Sequence, residues 1–292
     1  MTLTADLLAA LATEACLLEA RAPKPGNVSP GQPFRDMRHE DFVASAEAAG
    51  PELGRAGERP LGDTILAAVR ATRLRTTANT NLGIILLLAP LARAAARSDD
   101  PLAVAVERVL QETTVADAVA AFEAIRLSRP GGLGAAPAED VSGTPTISLR
   151  AAMALAAERD AVAREYTTGF AITFGTGVPA LRKARASGLG REEATLEAYL
   201  TLLARQPDTL IGRKLGMEAS RDVSARAAAV LAGGGVRTAE GRAATAAFDA
   251  ELRDAHNSRN PGTTADLTAA AIFVTLIENA RAADRSRTSR AQ

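Results

Sequence analysis

Apolar residues recur every three or four positions through most of the chain, the spacing of one face of an α-helix. The first segment places Leu3, Leu7, Leu8, Leu11, Ala15 and Leu18 on such a face. The same spacing predicts helices at about 41–49, 62–75, 82–97, 101–110, 114–127, 147–164, 166–185, 190–205, 217–232, 237–255 and 264–282. The best strand candidate is FAITFGTGV (170–178), and helix is preferred there too. We therefore expect an all-α protein.

Glycine, proline and short polar residues interrupt this pattern at seven places. The predicted turns lie at 21–40, 50–61, 76–81, 128–146, 206–216, 233–236 and 256–263. No internal repeat or long linker separates the helices. The pattern predicts a single compact multi-helix domain over residues 1–282, with its site in the helix-connecting loops. Residues 283–292 are expected to form a frayed tail.

Composition excludes several classes of protein. The 292 residues are 47% hydrophobic and 23% charged, which is enough to bury a sizeable core. Acids and bases balance at 34 each, so no net field attracts nucleic acid or an anionic membrane. The most apolar run, 82–92, is far shorter than the ~20 residues of a membrane span. We expect a cytoplasmic protein with no nucleic-acid or membrane partner, and the sequence leaves an oligomer open.

Cysteine and histidine are too scarce for a structural metal cluster. Cys16 is the only cysteine, and its neighbours Ala15 and Leu17 indicate a buried small hydrophobe. His39 and His256 are the only histidines, which argues against a multi-histidine zinc site.

Six loop segments carry more polar chemistry than a turn requires. They combine basic, acidic and amide side chains with glycine and with helix N-termini, a mixture that suits a polyphosphate and Mg²⁺. Two of only three lysines, Lys24 and Lys214, lie there, where a compact ammonium would suit a phosphate. The candidate ligand-binding residues are Lys24, Asn27, Arg35, Asn79, Thr80, Asn81, Arg213, Lys214, Asn260, Gly262 and Thr263. The candidate Mg²⁺ ligands are Asp36, Asp140, Asp208 and Asp266.

Each segment also has a purely structural explanation. Thr263 and Asp266 fit a capping box, and residues 79–81 could cap the next helix. The glycines at 131–134 could form only a flexible connection, PKPGN could be a rigid turn, and Arg35 and Asp36 could form a local ion pair. The same mixture in six segments favours one shared site, which requires all of them to converge in space.

The order and spacing of these segments carry a family resemblance. PKPGNV is followed by RDM, NTNLG, GGLG…EDV, PDT…RK and NPGTTADL. Over about residues 10–280 the chain resembles the triphosphoribosyl-dephospho-coenzyme A synthase family. The resemblance implies an all-helical transferase in which the 2′-hydroxyl of dephospho-coenzyme A attacks C1′ of the ATP ribose and adenine leaves. Its implied ligands are ATP, Mg²⁺ and a small phosphorylated or nucleotide-like acceptor.

That reaction assigns roles to the candidate residues. Positive charge develops on the sugar, so a carboxylate stabilises the transition state, and a carboxylate can also take the hydroxyl proton. Asp36, Asp140 and Asp208 are the leading carboxylates for catalysis or metal binding. The phosphate cations are expected to be Lys24, Arg213 and Lys214. Asp266 either caps its helix or joins the site.

One segment departs from the family pattern. Asn81 and Leu82 stand where the synthases carry a histidine and a lysine, so a proton carrier and a phosphate cation are missing. This resembles the family branch of methanogens and methylotrophs. An alternative function is therefore the joining of phosphorylated precursors in one-carbon cofactor biosynthesis, of the methanofuran, methylofuran or pterin type. A third hypothesis is a non-catalytic helical interaction protein.

Overall fold

The computed structural model describes residues 2–134, 136 and 138–290, except for the side chains of 287–290. Within this range the chain forms α-helices, one short 3₁₀ helix and one π-helical segment, but no strand, which confirms the predicted all-α class. The helices are α1 (Ala5–Arg21), α2 (His39–Gly54), α3 (Leu61–Arg73), α4 (Leu82–Arg97), α5 (Leu102–Gln111), α6 (Val115–Ser128), α7 (Leu149–Ala156), α8 (Ala161–Thr168), α9 (Val178–Ala186), α10 (Arg191–Arg205), α11 (Thr209–Leu215), α12 (Met217–Ala232), α13 (Ala239–Leu252) and α14 (Gly262–Arg290).

Helices α4 and α14 form the centre of the fold and pack against each other. Helix α4 is apolar on every side, and the run from Ile84 to Ala92 is buried throughout. A helix of this kind must be surrounded by other elements. Helix α1 packs against α14, α2 and α10, and a smaller apolar cluster joins α10, α12 and α13. The N-terminal ends of α4 and α14 are thereby brought to the same region.

Several predicted boundaries are wrong. The helix predicted at 147–164 is two helices, because Asp160 caps a new one by accepting the amide proton of Val162 at 2.8 Å. The turn predicted at 206–216 contains α11, capped by Asp208. Helix α2 passes through Pro51 to Gly54 and continues into a 3₁₀ turn at Arg55–Gly57, where a turn was predicted at 50–61.

The preference for helix at 170–178 is confirmed, with a π-helical segment at Thr173–Gly177. Helix α14 runs to Arg290, well beyond the predicted end at 282. Fraying of 283–292 stays a prediction, and residues 291–292 lie outside the described residues. No helix among the described residues combines the length and apolarity needed to cross a membrane.

Candidate functional site

A cavity of about 610 Å³ lies where the polar loops meet the N-terminal ends of α4, α8, α11 and α14. Each of the six polar segments contributes to its wall. The predicted site residues that line it are Asn27, Asp36, Asn79, Thr80, Asn81, Asp140, Arg213, Lys214, Asn260, Gly262, Thr263 and Asp266. Segments from positions 27 to 266 therefore converge on one cavity, as a shared site requires. Lys24, Arg35 and Asp208 do not line it.

Lys24 is buried and points into the protein. Its ammonium lies 2.9 Å from Glu19 Oε1 and donates to the carbonyl oxygens of Glu19 and Ala22. All three of its protons are therefore directed at protein oxygens, so the predicted contact with phosphate is not supported. The sequence could not show this, because the partner carboxylate lies inside a predicted helix.

Asp208 is also buried, and its carboxylate serves two helices. Oδ1 accepts the amide protons of Leu210 (2.8 Å) and Ile211 (3.1 Å), which caps α11. Oδ2 accepts the amide and hydroxyl protons of Thr264, at 2.7 and 2.8 Å, near the start of α14. With four bonds to protein donors, Asp208 is placed as a structural carboxylate and not as the predicted catalytic or metal-binding one. It also replaces the predicted capping box of Thr263 and Asp266.

The loop after α6 is organised by its own acidic side chains. Asp140 accepts protons from the amides of Ala136 (2.6 Å) and Ser142 (2.9 Å) and from the Ser142 hydroxyl. These bonds lower the pKa of Asp140 to about 2. Glu139 accepts from the amide and hydroxyl of Thr146. Asp140 faces the cavity, but its bonds shape the loop.

Residues 77–81 (TANTN) form the part of the cavity wall that precedes α4. Thr80 and Ser45 share a hydroxyl–hydroxyl hydrogen bond of 2.5 Å, and Asn81 donates to Thr72 Oγ1 at 3.2 Å. Asn79 Oδ1 lies 3.4 Å from the amide nitrogen of Leu82, so it caps α4 only weakly. Asn81 and Leu82 are both buried. At the positions where the family pattern has a histidine and a lysine, this chain thus has packed, uncharged side chains.

Arg213 and Lys214 supply positive charge from the last turn of α11. Arg213 pairs with Asp160 at 2.7 Å, and its Nε is buried without a hydrogen-bond partner among the described residues. Lys214 donates to the carbonyl oxygen of Asn257 at 3.1 Å. Desolvation lowers the pKa of Lys214, although the negative charges of Asp208 and other acids oppose the shift. Both cations already have protein partners that an anionic ligand can replace.

Asp266 projects from the first turns of α14 towards the N-terminus of α4. A Cβ at Gly83 would lie only 2.0 Å from Asp266 Oδ2, so glycine alone allows this approach. Desolvation and the charges of Glu19 and Asp208 raise the pKa of Asp266 well above its usual value. Unlike Asp208, this carboxylate is involved in none of the hydrogen bonds among the described residues. Of the predicted metal ligands, Asp266 is therefore one that remains free for a ligand.

Sequence reasoning missed Glu19, Arg159 and Asp160, which also line the cavity. Glu19 lies in the last turn of α1, and Asp160 lies at the break between α7 and α8, which was not predicted. The position of Glu19 five residues before Lys24 was the available signal.

The cavity is lined by both apolar and charged side chains. The larger apolar lining residues include Phe34, Phe42, Leu86, Phe122, Ile125 and Met153. The acidic lining residues are Glu19, Asp36, Glu139, Asp140, Asp160 and Asp266, and the basic ones are Arg129, Arg159, Arg213 and Lys214. Because acids outnumber bases, a polyphosphate would need a cation to bind here.

Comparisons with known proteins identify the relatives of this chain. Residues 5–285 match the family model described as ATP:dephospho-CoA triphosphoribosyl transferase. A protein of Azotobacter vinelandii named as a 2-(5''-triphosphoribosyl)-3'-dephosphocoenzyme-A synthase is 31% identical over 94% of this chain and 92% of its own length. The synthase of that name from Klebsiella pneumoniae is 34% identical, over 38% of this chain and 39% of its own.

A solved structure extends the likeness to three dimensions. The crystal structure of a protein from Archaeoglobus fulgidus, named as a triphosphoribosyl-dephospho-CoA synthase, superposes with a TM-score of 0.63 at 30% identity. The match covers 81% of this chain and 99% of that one. The family model and the full-length relative both span nearly all of the chain, and the chain therefore belongs to the ATP:dephospho-CoA triphosphoribosyl transferase family.

Proposed function

We propose that the cavity binds ATP together with Mg²⁺ and transfers the triphosphoribosyl group to a hydroxyl of dephospho-coenzyme A. The observation that carries the proposal is the convergence of six polar segments on one cavity that apolar and charged side chains line together. Family membership supports the same reaction. Apolar lining residues suit a nucleobase, and charged ones suit a triphosphate.

The cations of α11 are the groups expected to bind the phosphates. Arg213 and Lys214 line the cavity beside the N-terminal end of α14, where Gly262 and Thr263 also line it. The partial positive charge of a helix N-terminus and a nearby guanidinium both favour phosphate oxygens. Arg213 Nε is buried with no hydrogen-bond partner among the described residues, and Asp160 pairs with the guanidinium at its terminal nitrogen.

The reaction breaks one bond and forms one bond at C1′. The acceptor hydroxyl oxygen bonds to C1′ of the ATP ribose, and the C1′–N9 bond breaks with its electron pair going to adenine. The hydroxyl proton is removed, and adenine takes up a proton as it leaves. Asp36 is the predicted carboxylate left to accept the hydroxyl proton, because it lines the cavity and is exposed to solvent.

The residues present fit Mg²⁺ as a companion of the nucleotide. No group of three or more acidic, histidine or cysteine side chains that could hold a metal occurs among the described residues. One or two carboxylates together with substrate phosphates are nevertheless the usual ligands of Mg²⁺ at nucleotide sites. When bound, Mg²⁺ would neutralise the triphosphate.

The test is an incubation of the purified protein with ATP, Mg²⁺ and dephospho-coenzyme A. We expect free adenine in the chromatogram and a product whose mass equals that of the acceptor plus the triphosphoribosyl group. Arg213→Ala should raise the KM for ATP, whereas Arg55→Ala, an exposed arginine outside the cavity, should leave it unchanged. A folded protein that binds ATP but yields neither adenine nor the product would refute the proposal.

A change of acceptor is the second candidate, and the packed Asn81 and Leu82 are the observation that favours it. Without a proton carrier or a cation at these positions, the acceptor could differ from dephospho-coenzyme A. ATP binding with no adenine release would point to the joining of phosphorylated one-carbon cofactor precursors instead. A cytoplasmic location stays a prediction.

A further inference from the structure

Glu19 presents one carboxylate oxygen that the protein leaves unused. The residue is 3% exposed, and Oε1 is held 2.9 Å from the Lys24 ammonium. Oε2 is buried and has no hydrogen-bond partner among the described residues. Glu19 also lines the cavity. An unpaired oxygen of a buried carboxylate is costly unless a ligand completes its contacts.

Lys24 holds the Glu19 carboxylate so that Oε1 is paired and Oε2 is not. Its three protons are directed at Glu19 Oε1 and at the carbonyl oxygens of Glu19 and Ala22. Because the lysine engages Oε1, it leaves Oε2 for a ligand in the cavity.

Asp266 supplies a second carboxylate from the neighbouring helix. Helices α1 and α14 pack against each other, and after desolvation the charge of Glu19 is the main cause of the raised pKa of Asp266, so the two acids are near each other. Asp266 also lines the cavity and is involved in none of the hydrogen bonds among the described residues. Two negative groups from adjacent helices, each with unused oxygens, form an arrangement that a divalent cation stabilises.

We propose that Glu19 and Asp266 bind the divalent cation that accompanies the ATP triphosphate, and that Lys24 is a positioning residue for Glu19. This assignment deepens the proposed function and rests on it for the identity of the nucleotide. Two carboxylates bind Mg²⁺ weakly, and the phosphates complete its coordination. Metal and nucleotide should therefore strengthen each other's binding.

The experiment measures the affinity for ATP in excess Mg²⁺ and in EDTA by calorimetry, without acceptor. For the wild type we expect Mg²⁺ to tighten ATP binding about tenfold or more. Glu19→Gln and Asp266→Asn should lose most of this gain. They should bind metal-free ATP no more weakly than the wild type, because each removes a negative charge facing the phosphates. Glu14→Gln changes a partly exposed glutamate on the same helix that pairs with Arg191 outside the cavity, so it is the matched control and should behave as wild type.

A purely structural role for Glu19 or Asp266 predicts a different result. The affinities for ATP in excess Mg²⁺ and in EDTA would then fall together, and Mg²⁺ would still tighten ATP binding as in the wild type. That result would overturn the assignment. The assay needs no turnover, so it also separates the two proposals. A wild type that shows the Mg²⁺ gain but releases no adenine would contradict only the proposed function. Adenine release without a Mg²⁺ gain would contradict only the cation site.

Lys24 is tested in the Glu19→Gln background, in which its removal leaves no buried charge unpaired. Lys24→Met alone leaves a buried charge unpaired and can unfold the protein, whereas the double variant with Glu19→Gln removes both charges. The double variant should bind metal-free ATP as Glu19→Gln does. Binding more than about tenfold weaker, with the circular dichroism spectrum unchanged, would mean that Lys24 touches phosphate and would refute its positioning role.

Discussion

Substitution of Gly83 by alanine should damage the site while leaving the fold intact. The added Cβ would lie 2.0 Å from Asp266 Oδ2 and 2.5 Å from Asp266 Cγ. Ordinary van der Waals contact begins near 3.4 Å, so the carboxylate must retreat by about 1.4 Å. Only the end of the Asp266 side chain stands in the way, so that side chain moves and the backbone does not.

The consequences for stability and for activity differ. Gly83 is the second residue of α4, where alanine gains less over glycine than the about 1 kcal/mol of a helix interior, so G83A should be about as stable as the wild type. A misplacement of about 1 Å in a site can cost about 100-fold in rate, so kcat/KM for ATP should fall by about that factor. Stability kept together with activity lost is the signature of a displaced site residue.

The assay combines adenine release with urea denaturation followed by circular dichroism. Gly175→Ala is the matched control, because that glycine is also helical and exposed and its Cβ would meet nothing within 4 Å. We expect G175A to keep both activity and stability.

A double-mutant cycle with Asp266→Ala tests the cause. If Gly83→Ala acts by moving Asp266, it should add almost nothing once the carboxylate is gone. Full activity in G83A, or losses that multiply in the double variant, would refute the reasoning.

Three further predictions concern side chains that are buried or hydrogen-bonded to their own loop. Asp208→Ala removes caps from α11 and α14 and should lower the free energy of unfolding by about 2–4 kcal/mol in urea titration. If Asp208→Asn instead lost activity at full stability, Asp208 would again be a candidate catalytic residue. Desolvation raises the pKa of Cys16 to about 12, so a thiol reagent at pH 8 should label it only after unfolding, and rapid labelling of the native protein would contradict its burial. The pKa of Asp140 is about 2, below its usual 3.8, so the hydrogen bonds of its carboxylate should persist above about pH 4 and weaken as the pH falls towards 2. Hydrogen-exchange protection of the Ser142 amide measures the strength of these bonds. Loss of that protection already at pH 5 would contradict the prediction.

Helix content could be predicted from the sequence because it depends on short-range spacing. The segments predicted at 82–97 and 190–205 agree closely with α4 and α10. Two of the wrong boundaries lie where an aspartate begins a new helix. Asp160 and Asp208 each cap a helix that apolar periodicity did not reveal, because α8 and α11 are only eight and seven residues long.

Among the candidate site residues, the sequence selected the correct loops but not always the correct side chains. Polar composition separates a ligand-binding loop from an ordinary turn, and most of the selected residues line the cavity. Composition does not show where a side chain points. Asp208 meets Thr264, 56 positions away, so no local pattern could reveal that its oxygens are already bound.

The sequence alone determined the helical class, the polar loops and the family, since each depends on residue type and order along the chain. Only the tertiary structure decided which charges face the ligand. It turned Lys24 and Asp208 inward and brought Glu19, from the end of a helix, into the cavity beside Asp266. The physical reason is that a buried charge must find partners within hydrogen-bond distance, and those partners come from helices that meet only in the folded protein.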